Sequence, residues 1–175
     1  LTVDGSLCTG GAVCIMMMLS GQNVFVAMLA ATLAGMLTGL VTGIFHTFMG
    51  IPAILAGILT QLSLYSINLK IMGKANQAIN VDKYNLLVSL RYIKNVPFLK
   101  NTLFVVAICI ILLVLLLYWF FGTEVGCALR ATGCNGNMSR AQGINTNLTK
   151  VLGLMLSNGL VGLSGALLSQ YQGFA

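Results

Sequence analysis

The stretch Thr102 to Phe121 is twenty residues of almost unbroken Leu, Ile, Val and Phe, without a single charged side chain. As a helix rising about 1.5 Å per residue it would reach roughly 30 Å, the thickness of bilayer hydrocarbon. Four more apolar segments can be drawn, at about 7–19, 24–45, 51–69 and 151–171. The first is short for a span, so it reads as a half-helix or the visible end of a longer one. The runs are continuous and do not alternate, which argues against a membrane barrel. Only 7% of the residues are charged, where soluble domains carry about 25%. The expected fold is therefore all-α: a polytopic helical membrane protein with four to five membrane segments in one transmembrane domain covering residues 1–175. The chain starts with Leu1, shows no signal peptide and stops at Ala175, a few residues past an apolar run. A piece of a longer chain is expected, incomplete at both ends.

The small residues divide the spans by role. Ala31, Gly35, Gly39 and Gly43 are four apart and share one helix face, where a neighbouring backbone can approach closely. The last segment carries Gly159, Gly162, Gly165 and Ala166. The Thr102–Phe121 run has no glycine, so it reads as the lipid-facing helix and the other two as inner helices. The turn from Met49 to Pro52 is tight, Pro52 suits the first turn of a helix, and the two segments it joins form a helical hairpin. Between Lys70 and Asn101 lies the longest polar stretch. Within it Asp82 suits the cap of a short helix whose Leu86, Leu87, Leu90 and Ile93 share a face, the pattern of a helix lying on a membrane surface.

Chemistry of the catalytic kind has little to work with. The acids are Asp4, Asp82 and Glu124, and His46 is the sole histidine. The cysteines Cys8, Cys14, Cys109, Cys127 and Cys134 form no metal-binding spacing, and no phosphate loop or nucleophile motif occurs. An enzyme and a resident metal are not expected. The net charge of +6 falls mostly outside the apolar runs, which points to anionic lipid and topology and not to nucleic acid. Asp4 is either a functional carboxylate within the membrane or, preferably, the cap of the half-helix that follows it.

Polar groups do lie inside the apolar segments. Gln61 and Asn68 in the third, and Asn158 in the fifth, must be paired or face a wet pathway, because an unpaired amide in hydrocarbon is costly. Asn158, Gly162 and Ala166 share one face. For Gln61, Asn68, Asn158, Gly162, Gly35, Gly39 and Gly43, lining a translocation path and packing helix on helix both stand.

The run Gly126 to Gly143, GCALRATGCNGNMSRAQG, is a polar, glycine-punctuated loop between two spans. Gly133 and Gly136 permit tight turns. Asn137 suits the cap of a short helix from Met138 to Gln142, and Gly143 suits its end. Arg130 and Arg140 can bond acidic or carbonyl groups of a partner. A plain connector with basic residues and a docking element fit these residues equally.

This loop and the LSNGLVGLSGALLSQYQGFA that follows it resemble the permease subunits of bacterial ABC importers for branched-chain amino acids, ribose and similar sugars. The family pattern GxxLRAxGxNxxxARxxGI is matched by Gly126, Leu129, Arg130, Ala131, Gly133, Asn135, Gly143 and Ile144. The Ala-Arg pair is reversed here, as Arg140-Ala141. That reversal, with LTVDGS from Leu1 and LYSINLKIMGKAN from Leu64, resembles a narrower subgroup, some of whose members are linked to aromatic amino-acid uptake.

The resemblance implies a multi-pass protein of the bacterial inner membrane that transports a small solute, with an amino acid among the candidates. Asn135 to Ile144 would be a cytoplasmic coupling helix docking on a separate ABC ATPase, with Arg130, Gly133, Asn135, Met138, Arg140, Gly143 and Ile144 as the docking set. ATP and magnesium would sit on that partner, with no cofactor on this chain. A substrate-binding protein outside the membrane, a second permease copy and membrane lipid would complete the partners, with no nucleic acid among them. An ion-driven secondary transporter and a non-transporting assembly subunit are the rival classes. Orientation is in conflict. Lys70, Lys74, Lys83, Arg91, Lys94 and Lys100 put the long loop inside by charge, whereas the family motif puts Arg130, Arg140 and Lys150 there. We side with the motif, because charge bias is a statistical preference.

Overall fold

A computed structural model of the chain describes residues 2–73 and 102–172. The expected surface helix around Asp82 lies outside the described residues. Within them every element is helical: α1 (Val3–Leu19), α2 (Val24–Thr47), α3 (Ala53–Met72), α4 (Thr102–Gly122), α5 (Glu124–Cys134), α6 (Gly136–Ala141) and α7 (Thr146–Gln172). Helices α2, α3 and α7 are each long and apolar enough to cross a membrane. A fourth span results if α4 and α5, bent by 81°, are taken as one, and α1 is a shorter apolar helix. The all-α polytopic architecture stands.

The helices overrun the apolar segments because polar first turns can satisfy themselves. Helix α1 begins at Val3, not Leu7. Ser6 Oγ donates to the Thr2 carbonyl at 2.9 Å, and Thr9 Oγ1 to the Gly5 carbonyl at 2.6 Å. Helix α7 begins at Thr146, not Val151. The Asn145 side chain accepts from the Asn147 and Leu148 amides, relieving orphan donors of the first turn. Two expected caps move. Residue Thr2, not Asp4, is the N-cap of α1, and Asp4 lies in the first turn, where its charge suits the helix dipole. Pro52 precedes α3 as its N-cap, its carbonyl accepting from the Ala56 amide at 2.9 Å. At the α2–α3 turn, Gly50 has φ +68° and His46 Nδ1 donates to the Ile51 carbonyl at 3.0 Å. The histidine ties the turn.

Helix α7 is the axis of the bundle, packed by both α1 and α2, which also touch each other. Gly35 lies on Asn158 and Gly159, Gly39 on Leu154 and Met155, and Gly43 on Val151. As α2 advances α7 recedes, so the two are antiparallel. Thr2 bonds Asn158 and Cys14 bonds Gln170, so α1 runs parallel to α7. Small residues set the separation. A Cβ placed on Gly39 would lie 2.7 Å from the Met155 Cα, and one on Gly10 would lie 2.7 Å from the Gly162 Cα. Cys14, Ile15, Met18, Ala27, Ala31 and Ala166 form the core of this three-helix unit. Helix α3 packs on α1 and α2. Among the described elements α4 touches α5 alone, leaving Ile111, Leu112 and Leu115 exposed. Tyr118 and Trp119 stand exposed near its end, where aromatic side chains favour a membrane interface.

Candidate functional site

The polar stretch after α4 is built as two helices, α5 and α6, where a loop holding one short helix was expected. Ala128, Leu129 and Ala131 are strong helix formers, and they carry α5 straight through Gly133. Neither Gly133 nor Gly136 has positive φ, so neither makes a turn. The sharp bend lies earlier, at Thr123. Its Oγ1 donates to the Phe120 carbonyl at 2.6 Å and accepts from the Gly126 amide at 3.4 Å. Gly126 is required there, since a Cβ on it would sit 2.5 Å from the Phe121 Cα.

Arg130 serves this same corner. Its Nη2 donates to the Phe121 carbonyl at 2.8 Å, and its guanidinium lies 6.0 Å from the Phe121 ring centroid. It thus neutralises a carbonyl left open at the end of α4. Its first partner is its own chain. From the other face of α5, Leu129 packs on Gly153 of α7.

Helix α6 spans six residues and begins two earlier than expected. The cap is Asn135, not Asn137. The Asn135 side chain accepts from the Asn137 amide at 3.2 Å and the Met138 amide at 3.1 Å. Gly143, with φ +84°, turns the chain after the helix, a conformation that favours glycine. The chain folds back so that the Ile144 amide bonds the Ser139 carbonyl at 3.0 Å. Arg140 Nη2 donates to Thr146 Oγ1 at 3.0 Å. Thr146 is the first residue of α7, so Arg140 joins α6 to the bundle's axis. Asn137, Met138 and Arg140 remain exposed, and a shallow depression lined by Arg140, Gly143, Ile144 and Asn145 lies beside them.

The structure thus gathers Asn135, Met138, Arg140, Gly143 and Ile144 at one end of α7, with Gly133 and Arg130 further back along α5. Thr123 and Thr146, which hold this arrangement, escaped the sequence reading. A threonine just before or just after a helix break was the available signal.

The intramembrane polar residues separate into two places. Gly35, Gly39, Gly43, Asn158 and Gly162 all lie buried where α7 meets α1 and α2. Asn158 Oδ1 accepts from Thr2 Oγ1 at 2.8 Å and its Nδ2 donates to the Leu154 carbonyl at 2.9 Å. Gln61 and Asn68 line a different space, a cavity of about 340 Å³ between α1 and α3 that Asp4, Cys8 and Tyr65 also border. Among the described residues no three His, Cys, Asp or Glu side chains converge as they would around a metal ion.

Comparison with known proteins bears on all of this. The family model described as "Branched-chain amino acid transport system / permease component" matches residues 1–175. A "Tyrosine transport system permease protein" of Clostridioides difficile (strain R20291) is 40% identical over 177 aligned residues, covering all of this chain and 56% of that protein. An uncharacterized protein of Rickettsia prowazekii (strain Madrid E) is 35% identical, with all of this chain and 59% of that protein covered. The chain therefore spans a little over half the length of these relatives. No solved structure matches it. The chain belongs to the family of branched-chain amino acid transport permease components.

Proposed function

We propose that this member of the branched-chain amino acid permease family forms part of the membrane pathway of an ABC-type importer and is driven by a separate ATPase. The observation that carries the reading is the junction at the end of α7. A short capped helix, α6, presents Asn137, Met138 and Arg140 outward. It is tied to α7 by the Arg140–Thr146 bond and the Ser139–Ile144 return. A push on α6 is delivered to the one helix that α1, α2 and α5 all contact.

In the mechanism, ATP draws two ATPase subunits together, α6 moves with its docking cleft, and α7 reorients the helices packed on it. Hydrolysis occurs on the partner. A second permease copy and a binding protein outside the membrane complete the transporter, and the α6 end faces the cytoplasm. The substrate is a small amino acid-like solute. The tyrosine-transport name of the Clostridioides relative supports an aromatic amino acid as the first to try.

The test is Arg140→Glu in the complete transporter. It places a negative charge on the docking face and removes the Thr146 bond. Uptake and transport-coupled ATP hydrolysis should fall by about tenfold or more, as expected for a charge-assisted contact worth roughly 1.5–3 kcal/mol, while membrane insertion stays normal. Unchanged coupling would sink the assignment. Uptake that survives ATP depletion and follows an ion gradient would favour the rival secondary transporter.

A further inference from the structure

The space between α1 and α3 is bordered by both a carboxylate, Asp4, and an amide with an unpartnered oxygen, Asn68. Its depth follows from the helix registers. Thr2 bonds Asn158, near the middle of α7, and Gly5 lies against Gln61 and Leu64, near the middle of α3. Asp4 therefore stands about halfway through the helical layer, with its side chain exposed on the groove. A carboxylate facing lipid at that depth costs about 3 kcal/mol even on insertion scales. An aqueous groove or a bound solute would spare that cost.

A second, independent observation points into the same space. Asn68 is only 6% exposed, and its Oδ1 has no hydrogen-bond partner among the described residues. A buried acceptor left unpaired costs about 1–3 kcal/mol; Asn68 lines the cavity, so a turn of its amide would bring the oxygen to a donor there and relieve that cost. Gln61 adds an amide, and the exposed Leu62 and Tyr65 add an apolar and aromatic wall. The volume of about 340 Å³ falls within the range of small-molecule sites, which begins near 300 Å³.

We infer that this groove is a solute site on the translocation path that binds a compound carrying an ammonium group, with Asp4 and Asn68 Oδ1 accepting its N–H donors and Tyr65 and Leu62 bordering its apolar part. Gln61 supplies the neighbouring amide for a carboxylate. The inference rests on the proposed transport function and names a binding place for it.

Cys8 borders the same cavity and is exposed, which provides the test. In the full transporter with its ATPase but without the binding protein, Cys8 is kept and the other cysteines are replaced. It should react with a water-soluble, charged methanethiosulfonate reagent. Tyrosine and tyramine, which share the ammonium, should slow the reaction. 4-Hydroxyphenylpropionate, which lacks it, should not. In Asp4→Asn the thiol should still react, but half-protection should need about tenfold more tyrosine or tyramine, the loss expected for one hydrogen bond to a charged group. Asp4→Glu should restore part of it.

Reaction with a lipid-soluble maleimide alone would show a lipid-facing groove and overturn the inference. Inertness to both reagents would show a groove covered by another protein segment and overturn it equally. Aqueous reaction with no protection by tyrosine or tyramine would refute the solute site. ATP-driven amino-acid uptake is scored separately, after the binding protein is added back to the same preparation. Uptake without protection removes the groove alone, and absence of uptake removes the transport reading.

Discussion

The seam between α2 and α7 and the groove between α1 and α3 are built from the same alphabet of Gly, Thr, Asn and Gln inside apolar helices, yet they are physically opposite. In the seam Thr38, Thr42 and Asn158 have spent their hydrogen-bonding capacity locally. Thr38 Oγ1 donates to the Gly35 carbonyl, Thr42 Oγ1 to the Thr38 carbonyl, and Asn158 is engaged at both ends of its amide. Glycines there remove side chains so that backbones can meet. In the groove the capacity is unspent: Asn68 Oδ1 is buried without a partner and Asp4 faces the cavity. The two regions are thus separated by whether the partners of their polar residues are already present. Residue type alone does not separate the two.

The largest effect that would break this contrast is expected in the seam. Gly39→Leu drives a side chain into the Leu154–Met155 backbone and should cost about 3 kcal/mol or more. The readout is loss of monodisperse protein after detergent extraction and a lowered thermal midpoint. A tolerated leucine would mean that the helices are not held at that spacing. Next comes Asn158→Leu, which strips the buried Thr2 hydroxyl of its acceptor. Thermal unfolding should report a loss of about 1–2 kcal/mol. Smallest in stability is Asn68→Leu in the groove. It removes an acceptor that is already unpaired, so stability should change by no more than about 0.5 kcal/mol or should rise, while uptake falls. Should Asn68→Leu destabilise as much as Asn158→Leu, the two regions would not differ in kind.

What was legible in the sequence follows the energetics of burial. The apolar runs announce α2, α3, α4 and α7, because hydrocarbon length and helix rise leave few alternatives. The starts of α1 and α7 were read several residues late, since Ser6 and Asn145 look like loop residues until their hydrogen bonds to neighbouring backbone are seen. The stretch 126–143 read as a loop because of its glycines. One of them, Gly126, is there for close packing, Gly133 simply rides in a helix, and Gly143 alone has positive φ. Arg130 and Arg140 looked alike as free cations, yet Arg130 closes the α4–α5 corner and Arg140 reaches Thr146.

Membrane residence, helical class and membership of the permease pattern were determined by the sequence itself, because each depends on composition or on residues close together along the chain. Which of Asn68 and Asn158 finds a hydrogen-bond partner for its amide oxygen was decided only by tertiary structure. That choice depends on which distant backbone or side chain supplies a hydrogen-bond partner. Asn158 finds Thr2, 156 positions away, and the Asn68 oxygen finds none among the described residues.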